Sequence, residues 1–176
     1  MLSFREYLEY SEKHLKKAGE IHKSKNNIEW LLIPSILLSW IAIESFVNNM
    51  IDDFNQLPND IFELHERAFL LEKKLKFSDS GDTVGNFYID KTDEYKRIED
   101  KIFFLIAKLS KGKKKIKQGK LWQGFKKFKE TRDKIVHPKK NMEYSIRINE
   151  VEEFLNCSKE IINFISENIW GKPVDF

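Results

Sequence analysis

The sequence predicts an all-α fold, an up-and-down helical bundle of four to six helices within one domain over residues 1–176. Apolar side chains recur at intervals of three and four along most of the chain, as they do on one face of a helix. Proline or glycine stands where two of these periodic stretches end, at Pro138 and Gly171. Nothing in the pattern demands a sheet. A chain of 176 residues is long enough to bury about two-thirds of its unfolded surface in a single core.

The first two helices are predicted by the longest periodic stretches. The first is expected at about residues 3–24. Its apolar face comprises Phe4, Tyr7, Leu8, Ser11, Leu15, Ala18 and Ile21. The second is expected at about residues 27–55, with Pro34 early enough to be tolerated near the helix start. Because this helix is apolar nearly all round, it is expected to be the central one.

The middle of the chain predicts a shorter helix and a loop. Asn59 or Asp60 is expected to cap a third helix that continues to about Lys76. Residues 77–92 contain two glycines and are predicted to form a loop, within which a small hairpin around residues 84–89 is an alternative.

The second half of the chain predicts three further helices, at about residues 93–109, 121–137 and 148–170. Pro138 ends the fifth of these helices, counted from the start of the chain. Gly171, followed by a proline, supplies the expected end of the sixth.

Composition narrows the class of protein. Cys157 is the only cysteine, which indicates a reducing cytoplasm and excludes both a disulfide framework and a multi-cysteine metal site. We expect neither metal nor cofactor. The first six residues include charged side chains where a signal peptide would be apolar. The uncharged stretch at residues 31–43 is shorter than the roughly 20 residues of a membrane span, so we expect a buried core helix and no membrane partner.

Charge is distributed unevenly along the chain. Residues 108–140 carry 14 Lys or Arg against two acidic residues, a local charge of +12, whereas the whole chain carries +3 and the remainder therefore −9. This uneven distribution of charge predicts that a polyanionic partner binds to one face of the protein. A solvated lysine loop is the alternative.

One arginine lies on the apolar face of the predicted fifth helix. That face comprises Leu121, Trp122, Phe125, Phe128, Ile135 and Val136. Arg132 falls in its middle, where a guanidinium is costly unless a carboxylate meets it. Glu44 is the only charged residue between Leu31 and Ile51, so we predict an ion pair between Arg132 and Glu44. A purely architectural bridge between helices is the alternative role.

A carboxylate and an imidazole lie on a more exposed face of the same helix. Asp133 and His137 are four residues apart, so their side chains are neighbours. A histidine beside an aspartate can be held in one tautomer and can titrate near neutrality, which suits proton transfer. The alternative is a helix-end histidine that interacts with the C-terminal dipole.

These residues resemble the signature of HEPN domains. The Arg-x4-His spacing of Arg132 and His137, with polar Asp133 directly after the arginine, is similar to the HEPN motif of an arginine, a polar residue and a later histidine. The segment 40–48 with Glu44 resembles the second helix of that fold, where an acidic residue commonly recurs. The resemblance covers nearly the whole chain.

The resemblance implies a metal-independent endoribonuclease, commonly a homodimer whose two motifs face each other. Many such proteins are toxins of toxin–antitoxin or abortive-infection systems, often restrained by an antitoxin of the nucleotidyltransferase type. Other HEPN domains have lost activity and bind RNA or a partner protein, which is the alternative function. Because Arg132, Asp133 and His137 are all present, loss of activity is not indicated.

The chemistry of RNA cleavage suits this set of residues. RNA supplies its own nucleophile, the 2′-hydroxyl, so cleavage needs proton transfer and positive charge at the phosphate. We expect His137 to transfer the proton and Arg132 to contact the phosphate or position the histidine, while Asp133 orients His137 or contacts RNA. One histidine leaves a second proton transfer unassigned, which a homodimer would supply. The expected backbone-binding residues are Lys113, Lys114, Lys115, Lys117, Lys120, Lys126, Lys129, Lys139 and Lys140.

Overall fold

A computed structural model describes residues 2–22, 27–56, 61–79, 84–110, 119–138 and 145–176. In chain order the elements are α1 Phe4–His22, α2 Glu29–Gln56, α3 Leu64–Leu70, β1 Lys73–Phe77, β2 Phe87–Asp93, α4 Ile98–Leu109, α5 Lys120–Val136 and α6 Ile148–Trp170. The predicted, largely helical fold is confirmed. The expectation of a purely all-α chain is wrong, because β1 and β2 form a two-stranded sheet.

The chain divides into two compact units. The first comprises Met1–Phe46 together with Leu109–Phe176, and the second is Val47–Lys108. Helices α1, α5, α6 and most of α2 belong to the first unit, whereas α3, the two strands and nearly all of α4 belong to the second. The single domain expected over residues 1–176 stays a prediction.

Local sequence explains where the first two helices begin. The Ser3 hydroxyl accepts the Glu6 backbone N–H at 3.3 Å, and the Glu6 carboxylate accepts the Ser3 backbone N–H at 2.7 Å. This reciprocal pair satisfies two backbone donors that the helix cannot pair internally. The Asn27 side chain similarly accepts the Glu29 backbone N–H at 2.9 Å at the start of α2. Both helices therefore begin within two or three residues of the predicted positions.

Helix α2 is long and apolar enough, by length and composition alone, to cross a membrane. The mean hydropathy of its most apolar 18-residue stretch is 1.8, and 56% of that stretch is buried within the protein. Its buried side chains include Leu31, Leu32, Ile36 and Ile43. A helix that is apolar nearly all round is also what a protein core requires. The burial agrees with the core helix predicted from the sequence.

Three buried hydroxyls join α1 to α2. The Ser11 hydroxyl donates to the Ser35 carbonyl oxygen at 2.9 Å, and the Ser35 hydroxyl donates to the Ser11 carbonyl oxygen at 2.9 Å. The Ser39 hydroxyl lies 2.8 Å from Ser11 Oγ. All three residues are fully buried. The small serine side chains let the backbones of α1 and α2 approach each other. At this contact the hydrogen bonds take the place of the apolar packing that larger side chains would provide.

We expect Ser11→Ala to lower the free energy of unfolding by about 1–3 kcal/mol, because the Ser39 hydroxyl loses its partner inside the core. Chemical denaturation followed by tryptophan fluorescence measures the change. Ser158→Ala is the matched control, since Ser158 is equally buried but, among the described residues, its hydroxyl bonds only to the Phe154 carbonyl of its own helix turn. Equal losses in the two variants would contradict a specific role for the α1–α2 hydroxyl cluster.

The second unit contains the sheet and the helices that flank it. Strands β1 and β2 pair antiparallel, with Leu75 opposite Ile89 and Phe77 opposite Phe87. Between α3 and β1, Glu72 adopts a positive φ of 55°. Its carboxylate pairs with the buried ammonium of Lys101 at 2.6 Å, and its carbonyl oxygen accepts the Glu94 backbone N–H at 2.7 Å. These contacts hold a backbone conformation that side-chain-bearing residues rarely adopt.

The predicted bounds of the third helix are wrong at both ends. It was expected from Asn59 or Asp60 to Lys76, whereas α3 spans Leu64–Leu70 and is capped by Glu63. The cap residues Asn59 and Asp60 lie outside the described residues. Residues 73–77 form a strand because Lys74, Leu75, Lys76 and Phe77 alternate with a period of two. The predicted loop over residues 77–92 is wrong in part, because residues 87–92 belong to strand β2, which pairs with β1 and not within the small hairpin considered around residues 84–89.

Candidate functional site

Helix α5 carries the candidate residues, and its buried face fixes how it is rotated. Trp122, Phe125 and Phe128 are buried, as predicted. The Phe125 ring stacks on Trp40 of α2 with centroids 5.3 Å apart, and the Phe128 ring stacks on Phe154 of α6 at 4.8 Å. These contacts anchor α5 against both neighbouring helices. The apolar face ends earlier than predicted, since Ile135 is only half-buried and Val136 is exposed.

The predicted ion pair between α5 and α2 is confirmed. Arg132 Nη2 lies 3.7 Å from Glu44 Oε1, and the two side chains are 25% and 37% exposed. The Arg132 guanidinium carbon lies 5.4 Å from the ring centroid of Trp40. Arg132 is therefore neither fully solvated nor fully buried. A distance of 3.7 Å exceeds an ordinary hydrogen bond, so the contact with Glu44 is electrostatic.

Trp40 also contacts the carboxylate partner. Its indole Nε1–H donates to Glu44 Oε1 at 2.6 Å, so the same oxygen faces both the indole and Arg132. The sequence analysis included Trp40 only as part of the segment 40–48 on the second helix and gave it no role of its own. The spacing of four residues between Trp40 and Glu44 is the signal that places the two side chains together on α2.

Asp133 is bound by two cations. Its Oδ1 accepts a hydrogen bond from Arg132 Nη1 at 2.9 Å, and its Oδ2 accepts one from Lys129 Nζ at 2.9 Å. Partial burial raises the pKa of Asp133, but the bonds from Lys129 and Arg132 outweigh it and hold this pKa below its ordinary value. Asp133 is therefore a carboxylate at neutral pH. Both of its oxygens are engaged by residues of α5 itself.

His137 is the C-cap of α5, and its side chain is exposed. Its backbone N–H donates to the Asp133 carbonyl oxygen at 2.9 Å. Within the part of the chain that the structure describes, no hydrogen bond or ion pair of the imidazole is present. Five residues of helix correspond to a rotation of about 140°, so Arg132 and His137 leave α5 in different directions. The expected orientation of His137 by Asp133 stays a prediction.

Three of the candidate lysines are described. Lys120 and Lys126 are exposed, and Lys129 is half-buried beside Asp133. Positions 126, 129, 133 and 137 are spaced by three and four, so they share one face of α5. This face, which we call the α5 cationic face, comprises Lys126, Lys129, Asp133 and His137. The remaining candidates, which lie outside the described residues, are Lys113, Lys114, Lys115, Lys117, Lys139 and Lys140.

Metal-ligating side chains do not gather in the described ranges, where no group of three or more His, Cys, Asp or Glu residues could hold an ion. No family model matches the sequence, and neither the curated proteins nor the solved structures include a significant match to it. The fold and the site thus define a mostly helical protein with an arginine–carboxylate cluster between α2 and α5.

Proposed function

We propose that this protein is a metal-independent endoribonuclease of the HEPN type. The observation that carries the proposal is that one helix holds an exposed imidazole at residue 137 and, five residues earlier, a partly exposed guanidinium at residue 132. Lys126 and Lys129 add positive charge on the same side of α5 as His137. A flexible polyanion that carries its own nucleophile suits such a surface.

The reaction needs two proton transfers and one electrostatic contact. The ribose 2′-oxygen attacks the adjacent phosphorus as it loses its proton, the bond from phosphorus to the 5′-oxygen breaks, and that oxygen gains a proton. The products are a 2′,3′-cyclic phosphate and a 5′-hydroxyl. His137 carries one of these protons, since an imidazole can both accept and donate near neutral pH.

In this proposal Arg132 stabilises the negative charge that develops on the phosphate oxygens. Its Nη1 is engaged by Asp133, whereas Nη2 lies too far from Glu44 for a hydrogen bond. A guanidinium has five N–H donors, so donors remain for a phosphate oxygen. Partial exposure of the side chain supports direct contact over a purely structural role.

The proposal extends to the assembly. A single His137 leaves one proton transfer without a group, and a homodimer with two such histidines across a shared cleft supplies it. The same proposal includes the HEPN-type up-and-down bundle and a cytoplasmic location. It also includes a role as a toxin in toxin–antitoxin or abortive-infection systems, with an antitoxin of the nucleotidyltransferase type.

A second candidate is a non-catalytic HEPN module that binds RNA or a partner protein through its basic face. It is favoured by the state of the cluster, in which Glu44 and Asp133 already balance the charge of Arg132. It is also favoured by the His137 imidazole, which has no orienting carboxylate among the described residues.

The test is cleavage of structured and unstructured RNA in excess EDTA, with the product ends identified. We expect fragments that carry a 2′,3′-cyclic phosphate and a 5′-hydroxyl, because no step requires a metal ion. Binding without cleavage, weakening steeply as salt rises, would select the non-catalytic module. Cleavage that EDTA abolishes, or fragments with a 5′-phosphate, would contradict the proposed chemistry.

A further inference from the structure

We infer that Trp40 is a positioning residue for Arg132, holding the guanidinium through its ring face and holding the opposing carboxylate through its indole N–H. The inference rests on the proposed function, in which Arg132 contacts the scissile phosphate. A buried tryptophan of α2 thereby influences the reaction through a residue of α5.

The first contact is between the cation and the ring. Arg132 Cζ lies 5.4 Å from the Trp40 ring centroid, within the range of a cation–π interaction. Tryptophan has the most favourable ring for this interaction, and partial burial strengthens it because water screens it less. This attraction favours a position of the guanidinium over the indole ring.

The second contact is between the indole and the carboxylate. Trp40 Nε1–H donates to Glu44 Oε1 at 2.6 Å, and this oxygen is also the one nearest Arg132 Nη2. A hydrogen bond to an ionised acceptor is stronger than a neutral one. Glu44 is half-exposed, so without this bond its carboxylate would be free to turn toward solvent. Trp40 therefore fixes both members of the ion pair.

Trp40 can position other groups because it is itself held. It is 2% exposed, its ring stacks on Phe125 with an interplanar angle of 13°, and the Phe128 ring lies nearly perpendicular to it with centroids 5.4 Å apart. A buried side chain packed against two rings keeps one rotamer. The packing of Phe125 and Phe128 against Trp40 therefore also fixes the position of the Arg132 guanidinium.

A double-mutant cycle with Arg132 separates positioning from stability. Trp40→Leu removes both contacts and is expected to lower kcat for RNA cleavage about tenfold to a hundredfold, with a smaller change in KM, because the guanidinium is displaced from the developing charge. Trp40→Phe keeps a ring beneath the cation and should restore part of the loss. In the Arg132→Ala background, Trp40→Leu should lower kcat no further.

Trp122→Leu is the matched control. Trp122 is also buried and also packs on Phe125, but it lies ten residues from Arg132 on α5, or about 15 Å along the axis. We expect this variant to keep kcat within about twofold of the wild-type value. An additive loss in the Trp40 and Arg132 double variant, or a loss in Trp122→Leu equal to that in Trp40→Leu, would overturn the inference.

A readout that is independent of cleavage distinguishes failure of this inference from failure of the proposed function. The side-chain Nε–H signal of Arg132 in a proton–nitrogen NMR spectrum should be shifted by the Trp40 ring current and should move toward its random-coil position in Trp40→Leu. If the wild type cleaves no RNA but this shift is present and lost in the variant, positioning stands and the ribonuclease proposal fails. If the signal is unchanged in Trp40→Leu, the inference fails whether or not RNA is cleaved.

Discussion

His137→Ala is expected to lower the rate of RNA cleavage by about 10²–10⁴-fold, the usual contribution of a positioned acid or base. The side chain is exposed at the end of α5, so removing it should change the free energy of unfolding by no more than about 0.5 kcal/mol. Single-turnover cleavage at saturating enzyme measures the rate, and chemical denaturation measures the stability. A large rate loss at unchanged stability separates chemistry from folding.

His22→Ala is the control for that experiment. His22 is also exposed, and it is the last residue of α1, so the substitution removes a helix-end imidazole that the proposal does not use. We expect its cleavage rate to match the wild type. If His137→Ala cleaves RNA as fast as His22→Ala, the imidazole at residue 137 performs no proton transfer and the enzyme reading is wrong.

Phe125→Ala is expected to lower the free energy of unfolding by about 3–5 kcal/mol, because it opens a cavity beneath two indoles. Phe125 is 0% exposed and lies 5.3 Å from Trp40 and 5.0 Å from Trp122, measured between ring centroids. All four tryptophans of the chain belong to the first compact unit, so their fluorescence during denaturation reports on that unit.

The comparison for this prediction is Phe77→Ala. Phe77 is 54% exposed on strand β1, where its ring packs only against Phe87 among the aromatic contacts of the described residues. Its removal should cost about 1 kcal/mol or less, measured by denaturation followed by circular dichroism because Phe77 belongs to the second unit, which holds no tryptophan. A loss below about 1.5 kcal/mol in Phe125→Ala would mean that the α2–α5 interface collapses around the cavity or contributes little to stability.

Much of the helical fold was predictable because the helices are long and their ends carry local signals. The sixth helix was expected at residues 148–170 and spans Ile148–Trp170, with Gly171 in the left-handed conformation that its position requires. The fifth helix ends at Val136, directly before the expected residue. In both cases a run of apolar side chains with a helical period was bounded by a glycine or a proline.

The sheet was not predicted, for two physical reasons. Glu72 adopts a positive φ, a conformation that glycine usually provides where a helix ends. Because no glycine stands there, the residue types do not indicate that α3 has ended. Strand β1 is also short and mostly exposed, and its lysines resemble the exposed side of a helix. Only the period of two from Lys74 to Phe77 separates the alternatives.

The candidate site was predicted in part. Arg132 and Glu44 were paired correctly because each is an isolated charge in an apolar surface, and such charges are costly apart. The spacing of Asp133 and His137 predicted neighbours, but spacing does not show that Lys129, also four residues from Asp133, competes for the same carboxylate. Partners of equal spacing can be ranked only when side-chain positions are known.

The lone cysteine has a practical consequence. Cys157 on α6 is buried, its Sγ would lie 3.6 Å from a Cβ placed on Gly124 of α5, and burial raises its pKa to about 12. A thiol so protonated and shielded is inert toward alkylating reagents while the two helices stay in contact. The rate of its modification therefore measures how often α5 separates from α6, and the natural sequence needs no engineered label to reveal that motion.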